Sequence, residues 1–547
     1  MADESKIKEF FNGDILSDDA SLEAYSRDAS IFQVRPEVVL FPKDVYDIES
    51  VVKFVSAEKK AGRDISLTPR SAGTDMTGGP LTKSIVLDLT KYFNHIKEVG
   101  SDYALTEPGV FYRDFEKETL KHNLLLPSYP ASREICTVGG MVANNSGGEK
   151  TLVYGKTEKY VEAVKMVLSD GKEYDFRKIT FEELQEKDEE KTLEGKIYKG
   201  IHRLIEENYD LIQEAKPDVS KNSAGYYLWN VMDKEAKTFD LTKIIVGSQG
   251  TLGIITEMRF RLIKPKSHSR LLVIFLKDLK PLTEIAERIL KFNPESFESY
   301  DANTIKVAMK FLPDVMKILK GNALTLAMQF LPEFWMAIFG GMPKLVLLAE
   351  FTGDTSEEVA KKLLDAKSAL KDLPIKMRVT KTERETKKYW TLRRESFNLL
   401  RHHMKGLRTA PFIDDIIVKP DKLFEFLPAL NAILAQYHLL YTIAGHIGDA
   451  NFHIIPLMKL SEPKSKEIIS ELSEKVYKLV LDFGGSITAE HNDGLVRSPY
   501  LKTMYGDKIY RLFEETKRIF DPDTLFNPGK KVGSSLEYSL NHVDTSV

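Results

Sequence analysis

The sequence predicts an α+β chain of at least two globular units, and three observations carry that reading. Its 547 residues exceed what one ordinary core accommodates. In the first half, short β-branched runs alternate with helical patterns, and glycine-rich segments at 71–79, 139–148 and 247–253 interrupt them. Near Pro265 the pattern changes to apolar strand-like runs followed by helices, which suggests a separate α+β unit with an antiparallel sheet.

In chain order, Asp44 to Lys59 reads as an amphipathic helix, as does Tyr112 to His122. The runs Ile65-Ser-Leu-Thr, Ser84-Ile-Val-Leu-Asp-Leu, Ala163-Val-Lys-Met-Val-Leu and Lys243-Ile-Ile-Val read as strands. Charged stretches at 177–195 and 233–239 read as surface helices and loops. Strand-like runs begin at Arg270 and Lys344, a helix covers 355–371, and 426–448 reads as a core helix followed by a strand. A helix from Gly506 ends in Phe-Asp-Pro-Asp-Thr-Leu-Phe-Asn-Pro-Gly-Lys, and the polar tail beyond it is expected to be disordered.

Composition is that of a soluble globular protein, 42% hydrophobic and 29% charged, and a net charge of -3 gives no reason to expect a nucleic-acid partner. The single cysteine, Cys136, excludes disulfides within the chain, Cys-rich zinc sites and cysteine-ligated iron–sulfur clusters. Electrons, if carried, need an organic cofactor. The acidic N-terminus lacks the basic flank and apolar run of a signal peptide, so a cytoplasmic location is expected. Segment 303–343 interleaves lysines with a dense apolar run and admits two readings. It packs as core, lid or homodimer contact, or it docks peripherally on the inner face of an anionic membrane.

The segment Pro69-Arg-Ser-Ala-Gly-Thr-Asp-Met-Thr-Gly-Gly follows a strand and is neither a Walker loop nor GxGxxG. Its glycines let backbone approach a ligand, and successive N–H groups can hold a pyrophosphate. Thr137-Val-Gly-Gly-Met-Val-Ala-Asn-Asn-Ser-Gly-Gly is too rich in small residues to pack as a normal helix. Gly247-Ser-Gln-Gly-Thr-Leu-Gly-Ile-Ile-Thr-Glu joins a buried strand to another. Together they look like walls around a long phosphate-bearing cofactor.

These three segments, with Tyr25-Ser-Arg-Asp and Pro36-Glu-Val-Val-Leu-Phe-Pro upstream, resemble the FAD-binding domain of the vanillyl-alcohol oxidase superfamily. The likeness is to its D-lactate dehydrogenase, glycolate oxidase and D-2-hydroxyglutarate dehydrogenase branch. It implies a two-subdomain PCMH-type FAD domain over 1–266, a substrate (cap) domain over 267–500, and a segment 501–547 returning to the flavin. Implied FAD contacts come from Pro69, Arg70, Ser71, Ala72, Gly73, Thr74, Asp75, Thr77 and Gly78. Further contacts come from Thr137, Val138, Gly139, Gly140, Asn144, Ser146, Gly147, Gly148 and Tyr154. Gly250, Gly253, Ile254, Ile255 and Asn527 complete them. Gln249 stands where the family commonly has Glu. Thr74 stands where some relatives carry the His that attaches FAD, so attachment is expected to be non-covalent.

Two short segments hold three of the 11 histidines. In Gly445-His-Ile-Gly-Asp-Ala-Asn-Phe-His, the spacing of His446 and His453 would put the rings on opposite faces of an uninterrupted strand. Gly448, Asp449 and Asn451 can bend the chain and make them converge. In Ser486-Ile-Thr-Ala-Glu-His-Asn-Asp-Gly, Glu490 and His491 would point opposite ways if extended. Two imidazoles and a carboxylate suit zinc or another first-row divalent ion, manganese or iron included. The family resemblance implies His446, His453 and Glu490 as metal ligands, His491 as base, and Arg393 of Trp390-Thr-Leu-Arg-Arg-Glu as the grip on a substrate carboxylate, with Arg394 in reserve. Ala450 and Asn492-Asp493 depart from the family's usual Gly and Gly-Ile. Phe412-Ile-Asp-Asp-Ile-Ile-Val matches a family strand and reads as scaffold.

The implied reaction is oxidation of a small D-2-hydroxy acid, D-lactate first, with hydride passing to FAD and onward to a quinone, cytochrome or flavoprotein acceptor. The alternatives are an alkyl-glycerone-phosphate synthase-like flavoenzyme or a non-catalytic flavin- or metal-binding subunit. Because Thr74 offers no covalent anchor, acid precipitation is expected to leave all yellow flavin in the supernatant. Colour retained on the washed pellet would contradict this.

Overall fold

The computed structural model describes residues 4–302, 304–306, 342–382, 385–394 and 406–546. The 303–343 segment lies almost wholly outside them, as does Glu395, and both readings of that segment fall there with it. Among the described residues no helix is long and apolar enough to cross a membrane.

Three sheets organise the chain. Strands β1 (Asp14–Leu16), β2 (Val38–Phe41), β3 (Leu67–Arg70) and β4 (Ile85–Asp88) form the first, in the order β1-β2-β4-β3, with β2, β4 and β3 parallel. Helix α1 (Val45–Lys60) starts where the Asp44 carboxylate accepts the Asp47 amide, and it buries Ile48, Val51, Val52 and Val55 beside this sheet. The second sheet is antiparallel, in the order β5-β6-β11-β7-β8-β10-β9. It comprises β5 (Ile96–Val99), β6 (Tyr103–Thr106), β7 (Val161–Val167), β8 (Glu173–Thr180), β9 (Met232–Asp233), β10 (Thr238–Asp240) and β11 (Ile254–Arg261). Helices α2 (Tyr112–Lys121), α3 (Val138–Asn144) and α4 (Leu193–Glu207) contribute to the same core.

The third sheet is also antiparallel. It comprises β12 (His268–Leu276), β13 (Ser296–Asp301), β14 (Leu345–Gly353), β15 (Lys376–Val379), β16 (Arg408–Thr409), β17 (Ile416–Ile417), β18 (Leu440–His446) and β19 (Asn451–Met458). Leu272, Ile274 and Leu276 of β12 pack with α5 (Leu282–Leu290), α6 (Ser356–Ser368), α7 (Leu423–Leu434) and α8 (Ser465–Asp482). Leu271, Val273 and Phe275 meet Tyr389 and Trp390 of a helix over 385–394 on the other face. Burial on both faces explains why this strand reads as an unbroken apolar run rather than an alternating one.

Helix α9 (Leu501–Phe520) then leaves the third sheet and buries Ile509, Phe513 and Phe520 in the core of the second. Beyond it, the Asn527 side-chain amide donates to the carbonyls of Gly79 (2.9 Å) and Gln249 (2.7 Å). One residue thus ties the first and third glycine loops together.

Four local expectations are corrected. Lys243-Ile-Ile-Val forms the helical turn Thr242–Ile245 and not a strand, with Asp240 accepting the Thr242 amide. A short buried apolar run cannot be assigned by periodicity alone. Consequently the third glycine loop joins a helical turn to β11. The small-residue segment does form a helix, α3, capped by Thr137. Its glycines fit where a side chain would not: a Cβ on Gly139 would lie 2.4 Å from Pro108 Cβ. The 233–239 stretch is a β9–β10 hairpin. The polar tail is ordered: α10 (Leu536–Asn541) is followed by buried Val543, and the Asp544 carboxylate accepts from both Arg27 (2.7 Å) and Arg408 (2.5 Å). Two guanidiniums on one buried carboxylate give the tail the anchor that its composition hides.

The C-terminal clasp rests on one buried ion pair. Lys517 Nζ donates to Asp521 (2.5 Å), to Thr251 O (2.5 Å) and to Phe526 O (2.8 Å), while Asp521 takes the Leu525 and Phe526 amides. Lys517→Ala strands a buried carboxylate and is expected to cost about 3–5 kcal/mol in urea unfolding, since breaking a buried pair is far costlier than losing a surface one. A shift below 1 kcal/mol would contradict that assignment.

Candidate active site

A single cavity of ≈ 840 Å³ runs from the first glycine loop to the histidine segments, within the size range of cofactor sites. Its lining includes Pro69, Arg70, Ser71, Gly73, Thr74, Asp75, Gly139, Gly140, Asn144, Ser146, Gly148, Gly250, Gly253 and Ile255, and Gly147, where a Cβ would stand 3.1 Å from Glu490 Oε1. Among the described residues, no amide from Ser71 to Met76 donates to a protein acceptor. That leaves a run of free N–H groups suited to an anion such as a pyrophosphate. Gly73 has φ +65°, and a Cβ there would stand 2.4 Å from the Arg70 guanidinium; at Gly250, φ +67°, it would stand 2.3 Å from Pro69 Cγ. The cradle is therefore built of backbone where a side chain has no room, which fits a bound FAD.

The remaining residues expected to touch FAD stand behind this wall. Thr77 and Gly78 are buried, and the Thr77 hydroxyl donates to Asp75 (2.7 Å). Thr137 caps α3, while Val138 and Ile254 are core residues. Tyr154 reaches Glu295 (3.3 Å), Asn527 acts as the clasp, and Ala72 lies in the loop without lining the cavity. Gln249 joins three segments: its amide group meets Thr77 (3.4 Å) and Asn144 (3.3 Å), and its carbonyl accepts the Gly494 amide (2.9 Å).

At the other end, the β18–β19 hairpin brings the motif histidines together. Ala444 pairs with His453 and His446 with Asn451, so both rings emerge on one face, with centroids 5.2 Å apart. The bend between them includes Ala450 at φ +53°. Glu490 and His491 also face this cavity, contrary to the opposed orientation expected of an extended strand. The cause is Asp415, whose Oδ2 accepts the amides of Ala489 (2.9 Å), Glu490 (2.8 Å) and His491 (2.7 Å) and the Thr488 hydroxyl (2.7 Å). Curling three amides around one oxygen turns successive side chains toward the same space.

The departure at 492 keeps the geometry a glycine would supply. Asn492 adopts φ +70°, which Asn tolerates better than other side chains, and its amide donates to Asn144 O (3.1 Å) and Gly247 O (2.9 Å). Asp493 accepts from Gly225 N (3.0 Å) and Lys531 Nζ (2.8 Å). Asn492 thus fastens the site to the second and third glycine loops, and Asp493 fastens it to the turn at Gly225 and to the C-terminal segment at Lys531.

His446 Nε2 lies 3.4 Å from Glu490 Oε2, and its Nδ1 lies 2.5 Å from Glu298 Oε1. Arg393 also pairs with Glu298, through Nε (3.2 Å) and Nη2 (3.1 Å), while Arg394 takes Glu149 in a two-point grip. Glu490 Oε1 receives the ammonium of fully buried Lys221 (2.6 Å), which also meets Asp449 (3.1 Å). Burial disfavours a charged His446, but the Glu298 carboxylate outweighs it and raises the ring to about 9. Burial raises Glu490, yet Lys221 and His446 hold it well below the usual carboxylate range. Burial likewise opposes protonation of His491, and Asp415 with Asp414 overcome it, to about 9.

His453 and Glu490 belong to a group of N/O donors close enough together to hold an ion, with Asp415 and His491, and His446 Nε2 stands 3.4 Å from Glu490 beside that group. Asp415 groups geometrically with His453, Glu490 and His491 as a conceivable ligand. Its Oδ2 is already saturated with donors, and its Oδ1 accepts from Asn451 (3.2 Å), so we assign it to scaffolding. Sequence reasoning missed Lys221, Glu298, Asp414 and Asp415. Only Glu298 carried a signal, a charged residue in the otherwise buried strand Ser296–Asp301.

Residues 36–177 match the FAD binding domain model and 265–531 the model for FAD linked oxidases, C-terminal domain. The chain thus carries an FAD binding domain followed by the C-terminal domain of FAD linked oxidases. It is 26% identical to D-2-hydroxyglutarate dehydrogenase of Haemophilus influenzae, over 95% of this chain but 50% of that protein. The chain thus spans about half the length of that relative. It is 26% identical to D-lactate dehydrogenase of Anaerostipes hadrus, over 96% of both chains. It is also 26% identical to glycolate oxidase subunit GlcD of Bacillus subtilis, over 92% of this chain and 91% of that one. In fold it is similar to 4-ethylphenol oxidase from Gulosibacter chungangensis (TM-score 0.67, 16% identity, 96% of both chains). Alkyldihydroxyacetonephosphate synthase is also similar in fold (TM-score 0.64, 14% identity, 96% of this chain and 84% of that one).

One buried carboxylate beside the first loop makes a pH prediction. Asp28 Oδ1 accepts from Ser30, but Oδ2 is buried without a partner. Burial and the nearby Asp75 raise its pKa from 3.8 to about 7. Its proton is bound in the folded chain and absent from the unfolded one between those values, so its stabilising contribution is lost as pH rises through 7. Asp28→Asn is expected to raise stability at pH 8 by roughly 2 kcal/mol and to flatten the fall in melting temperature between pH 5 and 8. An unchanged pH profile in thermal denaturation would refute this.

Proposed function

We propose that the chain is an FAD-dependent dehydrogenase that oxidises a D-2-hydroxy acid to the 2-oxo acid. The observation that carries the reading is the convergence of His446, His453, Glu490 and His491 on one wall of the cavity whose far end is the anion-binding glycine loop. The relatives' names, D-2-hydroxyglutarate dehydrogenase, D-lactate dehydrogenase and glycolate oxidase subunit, share a 2-hydroxy acid. D-lactate is the first substrate to test, because the D-lactate dehydrogenase aligns over 96% of its own length.

In this reading His446, His453 and Glu490 hold one divalent cation, zinc in the first instance, which supplies Lewis-acid polarisation of the substrate hydroxyl. FAD, held non-covalently, supplies the hydride acceptor. With a divalent cation held beside it, whose charge opposes protonation of the ring, His491 would accept the hydroxyl proton at the ring nitrogen turned from Asp414. Arg393 lines the cavity with Glu298 engaging Nε and one terminal nitrogen, and among the described residues its other guanidinium donors are left for the substrate carboxylate. Glu298 holds the guanidinium plane while that carboxylate binds.

Anaerobic addition of D-lactate, D-2-hydroxyglutarate and glycolate to the flavin-loaded protein should bleach the yellow colour with at least one of them. His491→Ala should retain FAD and metal and slow bleaching by about 10²–10⁴-fold. His453→Ala should lose one metal per chain by elemental analysis. Failure of every 2-hydroxy acid to bleach the flavin would overturn the reading in favour of a non-redox flavoenzyme or a non-catalytic subunit.

A further inference from the structure

Asp414 and Asp415 are consecutive, fully buried carboxylates that do different work on the same wall. Asp415 adopts φ +64°, a left-handed conformation costly for a residue other than glycine. That turn lets neighbouring side chains serve one site: Asp415 gathers the amides of 489–491, while Asp414 faces the imidazoles. Asp414 Oδ1 lies 3.2 Å from His453 Nδ1, and Asp414 Oδ2 lies 3.0 Å from His491 Nδ1. The first contact is aligned as a hydrogen bond. The second is at bonding distance but off line, leaving both Asp414 Oδ2 and His491 Nδ1 without another partner among the described residues. The two rings are stacked at 5.1 Å, so one carboxylate bridges their Nδ1 edges.

The backbone around Asp414 is equally committed. Fully buried Arg497 donates to Asp414 O (2.5 Å), Ile487 O (3.1 Å) and Asn492 O (3.0 Å). One guanidinium thereby locks the 414 turn to both ends of the loop that carries Glu490 and His491. With its main chain fixed and no exposure, the Asp414 carboxylate has little freedom except to face the two rings.

We propose that Asp414 is a positioning residue that fixes both imidazoles at once, holding the proton of each at Nδ1 so that both Nε2 lone pairs face the cavity. A lone carboxylate can accept from two N–H donors, one on each oxygen, whereas any neutral replacement can satisfy only one in the same geometry. An imidazole that loses its Nδ1–H acceptor can place the proton on Nε2 instead, and then presents a donor where a lone pair was needed. The inference rests on the proposed reaction for its kinetic consequence but not for its structural one.

Two measurements on the FAD-loaded protein separate these parts. In histidine-15N-labelled wild type, strongly downfield 1H resonances coupled to Nδ1 should mark His453 and His491, assigned by their loss in His453→Ala and His491→Ala. A third such resonance, from His446 on Glu298, serves as an internal control. Asp414→Asn should abolish one of the first two and leave the third unmoved, with FAD content and melting temperature near wild type. Flavin reduction should fall by about 10²–10⁴-fold, through kcat with little change in KM where His491 turns over. Where His453 turns over, one metal per chain should be lost. Both Asp414-dependent resonances surviving in Asp414→Asn would overturn the inference, whatever substrate the protein uses. Resonances that behave as expected in a protein that no 2-hydroxy acid bleaches would uphold the positioning role and sink only the proposed reaction. If Asp414→Asn fails to fold, Asp414→Glu supplies the second variant. It keeps the charge but displaces the oxygens, so both resonances should shift; unshifted resonances would again overturn the role.

Discussion

Everything at the reactive end of the cavity depends on how one carboxylate, Asp415, holds a loop with no secondary structure of its own. Four donors from Thr488 to His491 converge on a single oxygen. In a buried setting such charge-assisted bonds are worth more than their exposed counterparts, and leaving the amides unpaired would be costly. The curl they impose sends Glu490 and His491 into the same space as the hairpin histidines. An extended strand with the same sequence would have separated them.

Around that loop the charges alternate: Arg393, Glu298, His446, Glu490, Lys221, Asp449. Each is paired with the next, and Glu298, Glu490, Lys221, His446 and Asp449 are all buried. Burying so many charges costs desolvation energy that the pairings offset only while the row is complete. The arrangement is poor as a device for stability and sound as a device for holding groups in fixed protonation states. Glu298 and Glu490 stay ionised because His446, Arg393 and Lys221 face them, as the proposed cation site would require.

The legible parts of the sequence were those whose local chemistry determines geometry. Gly448, Asp449 and Asn451 announced a bend between His446 and His453, and the hairpin register does bring the rings together. The free amides of 71–76 follow from the spacing of Gly73, Gly78 and Gly79. Harder to read were residues whose roles come from distant partners. Lys221 meets Glu490 from 269 positions away, and nothing beside it marks it out. Asp414 and Asp415 look like two polar residues in a scaffold segment until the left-handed turn at Asp415 divides their tasks. Lys243-Ile-Ile-Val and the tail around Asp544 were misread for the same reason, since tertiary burial and remote guanidiniums decided their conformation.

The clasp formed by Asn527 has a consequence for how the protein comes into being. Its side chain closes Gly79 and Gln249 together, and its own amide joins Leu67 across most of the chain's length. During synthesis the first loop leaves the ribosome hundreds of residues before the residue that completes its support. The first loop therefore waits for Asn527, which follows α9, with the closure entropy of so long a loop still unspent. A chain cut before residue 527 would lack the one side chain that ties Gly79 to Gln249, and its first and third glycine loops would lose that tie.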